Sequence, residues 1–115
     1  MFTIHVTATT GPDYTVSGSN RNGVISSQLD PTITIYIGDT INFIVNTAAG
    51  HPFALKTVSG PGTSDLISPD QISGLNPTTS GTVTWTPSVT GNFYYSCSLH
   101  GGHGGQIIVT NPPSS

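Results

Sequence analysis

Short runs in which apolar and polar side chains alternate with a period of two recur throughout this chain, and signals of an amphipathic helix are almost absent. Phe2, Ile4 and Val6 alternate with Thr3, His5 and Thr7. Ile33, Ile35 and Ile37 do the same within Thr32–Ile37, as do Ile41, Phe43 and Val45. Val83 and Trp85 share one face of 82–86, and Phe93, Tyr95 and Cys97 share one face of the run that follows. Successive side chains of a strand point to opposite faces of a sheet, so each run predicts a strand with one buried face. Gly, Pro, Asn and Asp bound the runs, as they do between short strands. The pattern predicts an all-β fold: an antiparallel β-sandwich of about seven to eight strands. One domain over residues 1–110 and a C-terminal tail at 111–115 are expected.

Between the strands the sequence predicts connections. Gly11-Pro12-Asp13 reads as a turn, Tyr14-Thr15-Val16 as a short strand, and Gly18 to Ser27 as a polar loop containing the turn dipeptide Asn22-Gly23. Gly38-Asp39 is expected to turn the chain tightly, making Thr32–Ile37 and Ile41–Val45 neighbours. Residues 47–50 form a small-residue loop that delivers His51. The Gly-, Pro-, Ser- and Thr-rich segment from Val58 to Ser80 reads as a long loop crossing one end of the sheets. Ile107-Ile108-Val109 closes the fold. His5 falls on the polar face of the first strand and reads as a solvated histidine.

The surface of such a sandwich must be solvated by hydroxyls and amides, because charged residues make up only 6% of the 115 residues, against about 25% in ordinary soluble proteins. Glutamate is absent, Arg21 and Lys56 are the only basic residues, and the net charge is -3. That balance argues against nucleic acid or an anionic membrane as partner. No apolar run reaches the ~20 residues of a membrane-spanning helix, and a monomer without membrane insertion is expected. The N-terminal residues lack the basic and apolar regions of a signal peptide. Localisation is therefore read as periplasmic or extracellular if a leader has been removed, and otherwise as cytoplasmic or virion.

Chemistry concentrates in Tyr94-Tyr95-Ser96-Cys97-Ser98-Leu99-His100-Gly101-Gly102-His103-Gly104-Gly105, which holds the only cysteine and two of the four histidines. The thiol and the two imidazoles follow one another at intervals of three residues on a connection between two strands. Glycine permits the tight path that brings such side chains to one point. A thiolate with imidazoles is a donor set for copper or zinc. His51, at the end of a separate loop, is a fourth candidate ligand. One Cys and three His would also make a four-coordinate zinc site, so zinc is the alternative metal.

These segments resemble the cupredoxin family of blue-copper proteins. The resemblance lies in Gly38-Asp39-Thr40-Ile41-Asn42-Phe43, Gly50-His51-Pro52-Phe53, Gly81-Thr82-Val83-Thr84-Trp85-Thr86 and Phe93-Tyr94-Tyr95-Ser96-Cys97-Ser98-Leu99-His100, and covers most of the chain from Thr32 onward. It implies a Greek-key sandwich and one copper ion held by His51, Cys97 and His100. The family's weak axial methionine has no counterpart here: His103 stands at one of its usual spacings, Gly105 at the other, and the only methionine is Met1. The axial donor is then His103, a backbone or Gln106 oxygen, or absent, and His103 is the first choice. The implied role is one-electron transfer with a redox partner protein, not catalysis.

Other readings compete with it. A non-redox copper or zinc protein would use the same ligands for storage, delivery or stability. A structural or virion sandwich would carry a vestigial site. Enzymatic readings have less behind them. Cys97 has no orienting Asp or Asn near the motif, and the spacing of Asp39, Asp65 and Asp70 does not pair carboxylates. A copper oxidase or oxygen-binding site would require His103 to leave a coordination position open.

Overall fold

The computed structural model of the chain describes residues 1–8, 14–47, 51–60, 62–99 and 104–112. Ten strands form two sheets among these residues. The first sheet has the order β3-β2-β1-β5-β8-β7, and the second β4-β10-β9-β6. The strands are β1 Phe2–Thr7, β2 Thr15–Asn20, β3 Gly23–Leu29, β4 Ile33–Tyr36, β5 Ile41–Asn46, β6 Phe53–Lys56, β7 Ile72–Ser73, β8 Ser80–Trp85, β9 Gly91–Cys97 and β10 Gly104–Thr110. The expected sandwich is present, and both of its sheets are mixed: β1 pairs with β5, and β4 with β10, in parallel. No described helix is long and apolar enough to cross a membrane.

The inward positions expected from the alternation are the core. Ile4, Ile33, Ile35, Ile41, Phe43, Val83, Trp85, Tyr95, Cys97 and Ile107 are all fully buried in one cluster. Each buried Ile, Val or Phe side chain contributes about 1.5–3 kcal/mol by leaving water. At one end of the cluster the rings of Tyr14, Phe43, Phe53 and Tyr95 pack together, with centroids 5.1–6.3 Å apart. Elsewhere Trp85 meets Phe93 edge-on at 5.1 Å.

Three connections differ from the expectation, each because side chains do what the local pattern does not show. The polar stretch Gly18–Ser27 is a β-hairpin rather than a loop. Its turn is held by buried Asn20, whose Oδ1 accepts from the N–H of Asn22 and of Thr34, while its Nδ2 donates to the Gly23 carbonyl. Gly18 is needed there because a Cβ would lie 2.2 Å from the carbonyl oxygen of Thr3 on β1.

The second difference is that β4 and β5 are not neighbours, since the turn at 38–40 carries the chain from one sheet to the other. Asp39 organises that crossing. It accepts from the Tyr36 N–H and takes both bonds of the Arg21 guanidinium, at 2.7 and 2.9 Å. Arg21 in turn lies against the rings of Tyr36 and Phe2, at 4.3 and 5.1 Å from their centroids.

Third, the long segment does not merely cross an end of the sheets. It runs along the free edge of β6, with Thr78 bridging Phe53 and Leu66 bridging Lys56. The Asn76 side chain pairs with both the N–H and the C=O of Leu55, at 2.9 and 3.1 Å. A side-chain amide thus takes the place of a strand and closes the edge. Residues 72–73 and 80 onward then rejoin the first sheet.

The Arg21 hydrogen bond, helped by the backbone bond from Tyr36, holds the Asp39 carboxyl below its ordinary range. A depressed folded-state pKa contributes stability that is complete above the unfolded value of about 3.9 and is lost as pH falls through the folded one. The urea midpoint of the wild type is therefore expected to fall faster than that of Asp39→Asn as pH drops below about 4. Parallel midpoint–pH curves would show that the pair contributes nothing.

Candidate metal centre

His51 and Cys97 reach the same end of the second sheet through the β6–β9 ladder. Phe53, the first residue of β6, is in register with Cys97, the last residue of β9, and Ala54 with Ser96. His51 lies two residues before that pair. Cys97 is completely buried, on the inward face expected from the alternation. His51 is half-buried, with its Nδ1 atom shielded from solvent.

The backbone that carries His51 is held by bonds from three other segments. The His51 carbonyl accepts from Thr47 Oγ1 at 2.8 Å and from the Tyr14 hydroxyl at 3.2 Å. The Pro52 carbonyl accepts from the Ser98 N–H at 3.1 Å and from the same Tyr14 hydroxyl at 3.0 Å. The residue after Cys97 is therefore tied directly to the residue after His51. Such cross-links position two side chains without help from a ligand.

Tyr14 was not singled out by its sequence context beyond a place in a short strand. The structure puts its hydroxyl against the backbone of His51 and Pro52 and in a side-chain hydrogen bond with Cys97. Burial, reinforced by Cys97 and then by Asp30, pushes its phenol well above the ordinary tyrosine range. Tyr95 is raised in the same direction by burial and by Asp30. Both phenols therefore stay protonated, and Tyr14 can donate from its hydroxyl. The signal in the sequence was small: an aromatic residue just after a Gly-Pro-Asp turn.

His100 and His103 lie outside the described residues, as do the turn at 11–13, residues 48–50 and the end of the tail at 113–115. The structure does fix both ends of the connection that carries the two histidines. It leaves β9 at Cys97 and returns in β10 at Gly104, which pairs with Ser96. Gln106, an alternative axial donor by sequence, pairs with Tyr94 and lines a groove of about 340 Å³ with Ser59, Gly60 and Ser96. Its register partner Tyr94 alternates along β9 with the inward-facing Tyr95 and Cys97, which puts Gln106 on the opposite face of the sheet from Cys97. His5 is exposed on β1, as expected of a solvated strand histidine.

Among the described residues no three His, Cys, Asp or Glu side chains gather into a metal-binding group. Two residues of the expected set lie at the same end of the second sheet: Cys97, whose thiol is buried, and His51, whose Nδ1 is shielded. This soft, partly dehydrated pair fits a copper or zinc ion.

No family model matches the chain, and comparison with curated proteins gives no match. Solved structures do match. Rusticyanin from Thiobacillus ferrooxidans is 23% identical, with a TM-score of 0.59, over 94% of this chain and 76% of that one. Reduced rusticyanin is 24% identical with a TM-score of 0.57, over 94% and 78%. A further rusticyanin structure, described as a copper protein, is 22% identical with a TM-score of 0.56. The architecture is the cupredoxin fold.

Proposed function

We propose that this chain binds one copper ion through His51, Cys97 and His100, with His103 as the axial donor, and serves in one-electron transfer to a partner protein. The observation that carries this reading is the register of β6 against β9, which sets His51 and Cys97 at one end of a cupredoxin sandwich. The connection bearing His100 and His103 starts at that same end. The copper-protein description of a rusticyanin structure sharing the fold supports the choice of metal.

Bound copper would supply a reversible one-electron couple. The chain's own residues supply the rest: a buried sulfur, a fixed His51 backbone and a core that keeps water from Cys97. Copper potentials respond to the axial ligand and to the surroundings of the sulfur. An axial imidazole binds Cu(II) more strongly than a thioether does. It is expected to give a tetragonal site with a low potential and a green, yellow or red colour.

Cu(II) titration with absorption and electron paramagnetic resonance tests this on the wild type and His103→Met. The expected result is one equivalent of copper, an intense thiolate-to-copper band, and a bluer protein with a higher potential in the variant. A band unmoved by the substitution would take the axial role from His103. Absence of any band would overturn the copper reading in favour of zinc or a metal-free sandwich.

A further inference from the structure

Tyr14 sits immediately before β2, in the first sheet, yet its hydroxyl reaches the end of the second sheet that carries His51 and Cys97. It is held there from several sides. Its N–H donates to Asp30 Oδ1 at 2.9 Å, and its carbonyl accepts from the Asp30 N–H at 3.0 Å. Its ring packs edge-on against Phe53 at 5.6 Å and tilted against Tyr95 at 6.3 Å. Tyr14 is itself fully buried. A side chain fixed in this way has little freedom to withdraw its hydroxyl.

A hydroxyl has one proton to donate and accepts with its lone pairs. Around that of Tyr14 stand two backbone carbonyls and one sulfur. The single phenolic proton can serve one of these acceptors at a time, and the carbonyls of His51 and Pro52 lie 3.2 and 3.0 Å from the hydroxyl oxygen. A sulfur that binds metal is a thiolate, which accepts only. Hydrogen bonds to charged acceptors are roughly twice as strong as those between neutral groups, so the phenolic proton then turns to the sulfur.

We propose that Tyr14 is the positioning residue of this centre, holding the His51–Pro52 backbone when the site is empty and donating its hydroxyl proton to the Cys97 sulfur when metal is bound. The inference rests on the reading of Cys97 as a copper ligand. A donor to the thiolate draws electron density from sulfur and weakens its donation to Cu(II) more than to Cu(I). Tyr14 therefore raises the potential of the couple, opposing the effect of an axial imidazole.

The test compares wild type, Tyr14→Phe and Tyr95→Phe as intact chains loaded with copper. Tyr95→Phe is the control, since it also removes a buried hydroxyl, one bonded to the Pro31 carbonyl at 2.5 Å. Voltammetry on Tyr14→Phe is expected to show the preference for Cu(I) over Cu(II) falling about tenfold, equivalent to ~59 mV for one electron, with a shifted thiolate-to-copper band. Tyr95→Phe is expected to lose stability with its potential unchanged.

Equal potentials in wild type and Tyr14→Phe, with the band present in both, would overturn the role of Tyr14 and leave the copper site standing. Equal shifts in both variants would reduce Tyr14 to a structural hydroxyl and also overturn it. Absence of the band in wild type would overturn the copper reading, and the inference with it. Should Tyr14→Phe fail to fold, nuclear magnetic resonance of the Tyr14 hydroxyl proton in wild type decides. A change in its shift between the metal-free and Cu(I) forms supports the proton's reorientation, and an unchanged shift overturns it.

Discussion

Gly104→Ala is expected to be the most destabilising single-methyl addition among the described glycines. Gly104 opens β10 at φ +137°, and a Cβ there would lie 1.9 Å from the Tyr95 carbonyl oxygen and 2.8 Å from the Cα of Ser96. Both obstacles are backbone atoms of the paired strand β9, so no rotamer change relieves the contact. Backbone strain of this kind costs about 1–3 kcal/mol, and overpacking into fixed atoms adds about 1–3 kcal/mol more. A loss of roughly 2–6 kcal/mol is a large part of the total stability of a domain, about 5–15 kcal/mol.

Gly81 supplies the matched control. Its φ of +132° is close to that of Gly104, yet nothing lies within 4 Å of an added Cβ. Gly81→Ala therefore carries the backbone cost alone, about 1–3 kcal/mol. Denaturant midpoints of the two variants isolate the clash, and equal losses would refute the close approach of β10 to β9. The consequence reaches the metal centre, because Gly104 is where the connection bearing His100 and His103 comes back into register with Ser96. A variant that shifts this entry point should also lose copper affinity.

Phe53→Ala is the second large effect. Phe53 is fully buried and its ring meets those of Tyr14, Phe43 and Tyr95, at 5.6, 5.1 and 5.8 Å between centroids. Its backbone bonds Thr78 in both directions, at 2.8 and 3.0 Å, and its register partner is Cys97. Truncating a core Phe to Ala costs about 3–5 kcal/mol in lost burial and residual cavity. The cavity would open beside both His51 and Cys97. Loss of stability and weaker copper binding are thus expected together, measured by urea unfolding and by copper titration with the thiolate band. Phe93→Ala, which removes the ring that meets Trp85 instead, should lower stability while leaving the titration unchanged. A Phe53→Ala protein that binds copper as wild type does would show that the aromatic cluster does not position the ligands.

The strands that carry the core were legible because burial on one face imposes a period of two that no neighbour can disguise. Ile33, Ile35, Val83, Trp85, Phe93, Tyr95 and Cys97 all point inward as that period requires. The hairpin over Gly18–Ser27 was not legible. Its residues are mostly Ser, Gly and Asn, and on β3 only Ile25 is buried, so no alternating signal marks it. The placing of β4 and β5 in different sheets escaped for another reason. A tight turn after a strand looks the same whether the chain folds back beside itself or crosses to the facing layer. Here the Asp39–Arg21 pair, joining residues eighteen apart, belongs to the crossing.

The sequence by itself determined which residues are able to do chemistry, because a single cysteine and a cluster of histidines in a chain of hydroxyls and amides leave few other candidates for soft metal donors. It also determined that Cys97 faces inward, since strand parity is a local property. Only the tertiary structure decided what surrounds that sulfur. The placing of His51 at the same sheet end as Cys97 depends on the β6–β9 register, and the reach of Tyr14 to that end depends on the packing of one sheet over the other. Contacts between residues 37 and 38 apart in the chain come from burying two apolar faces against each other, an energy summed over the whole core and written in no single motif.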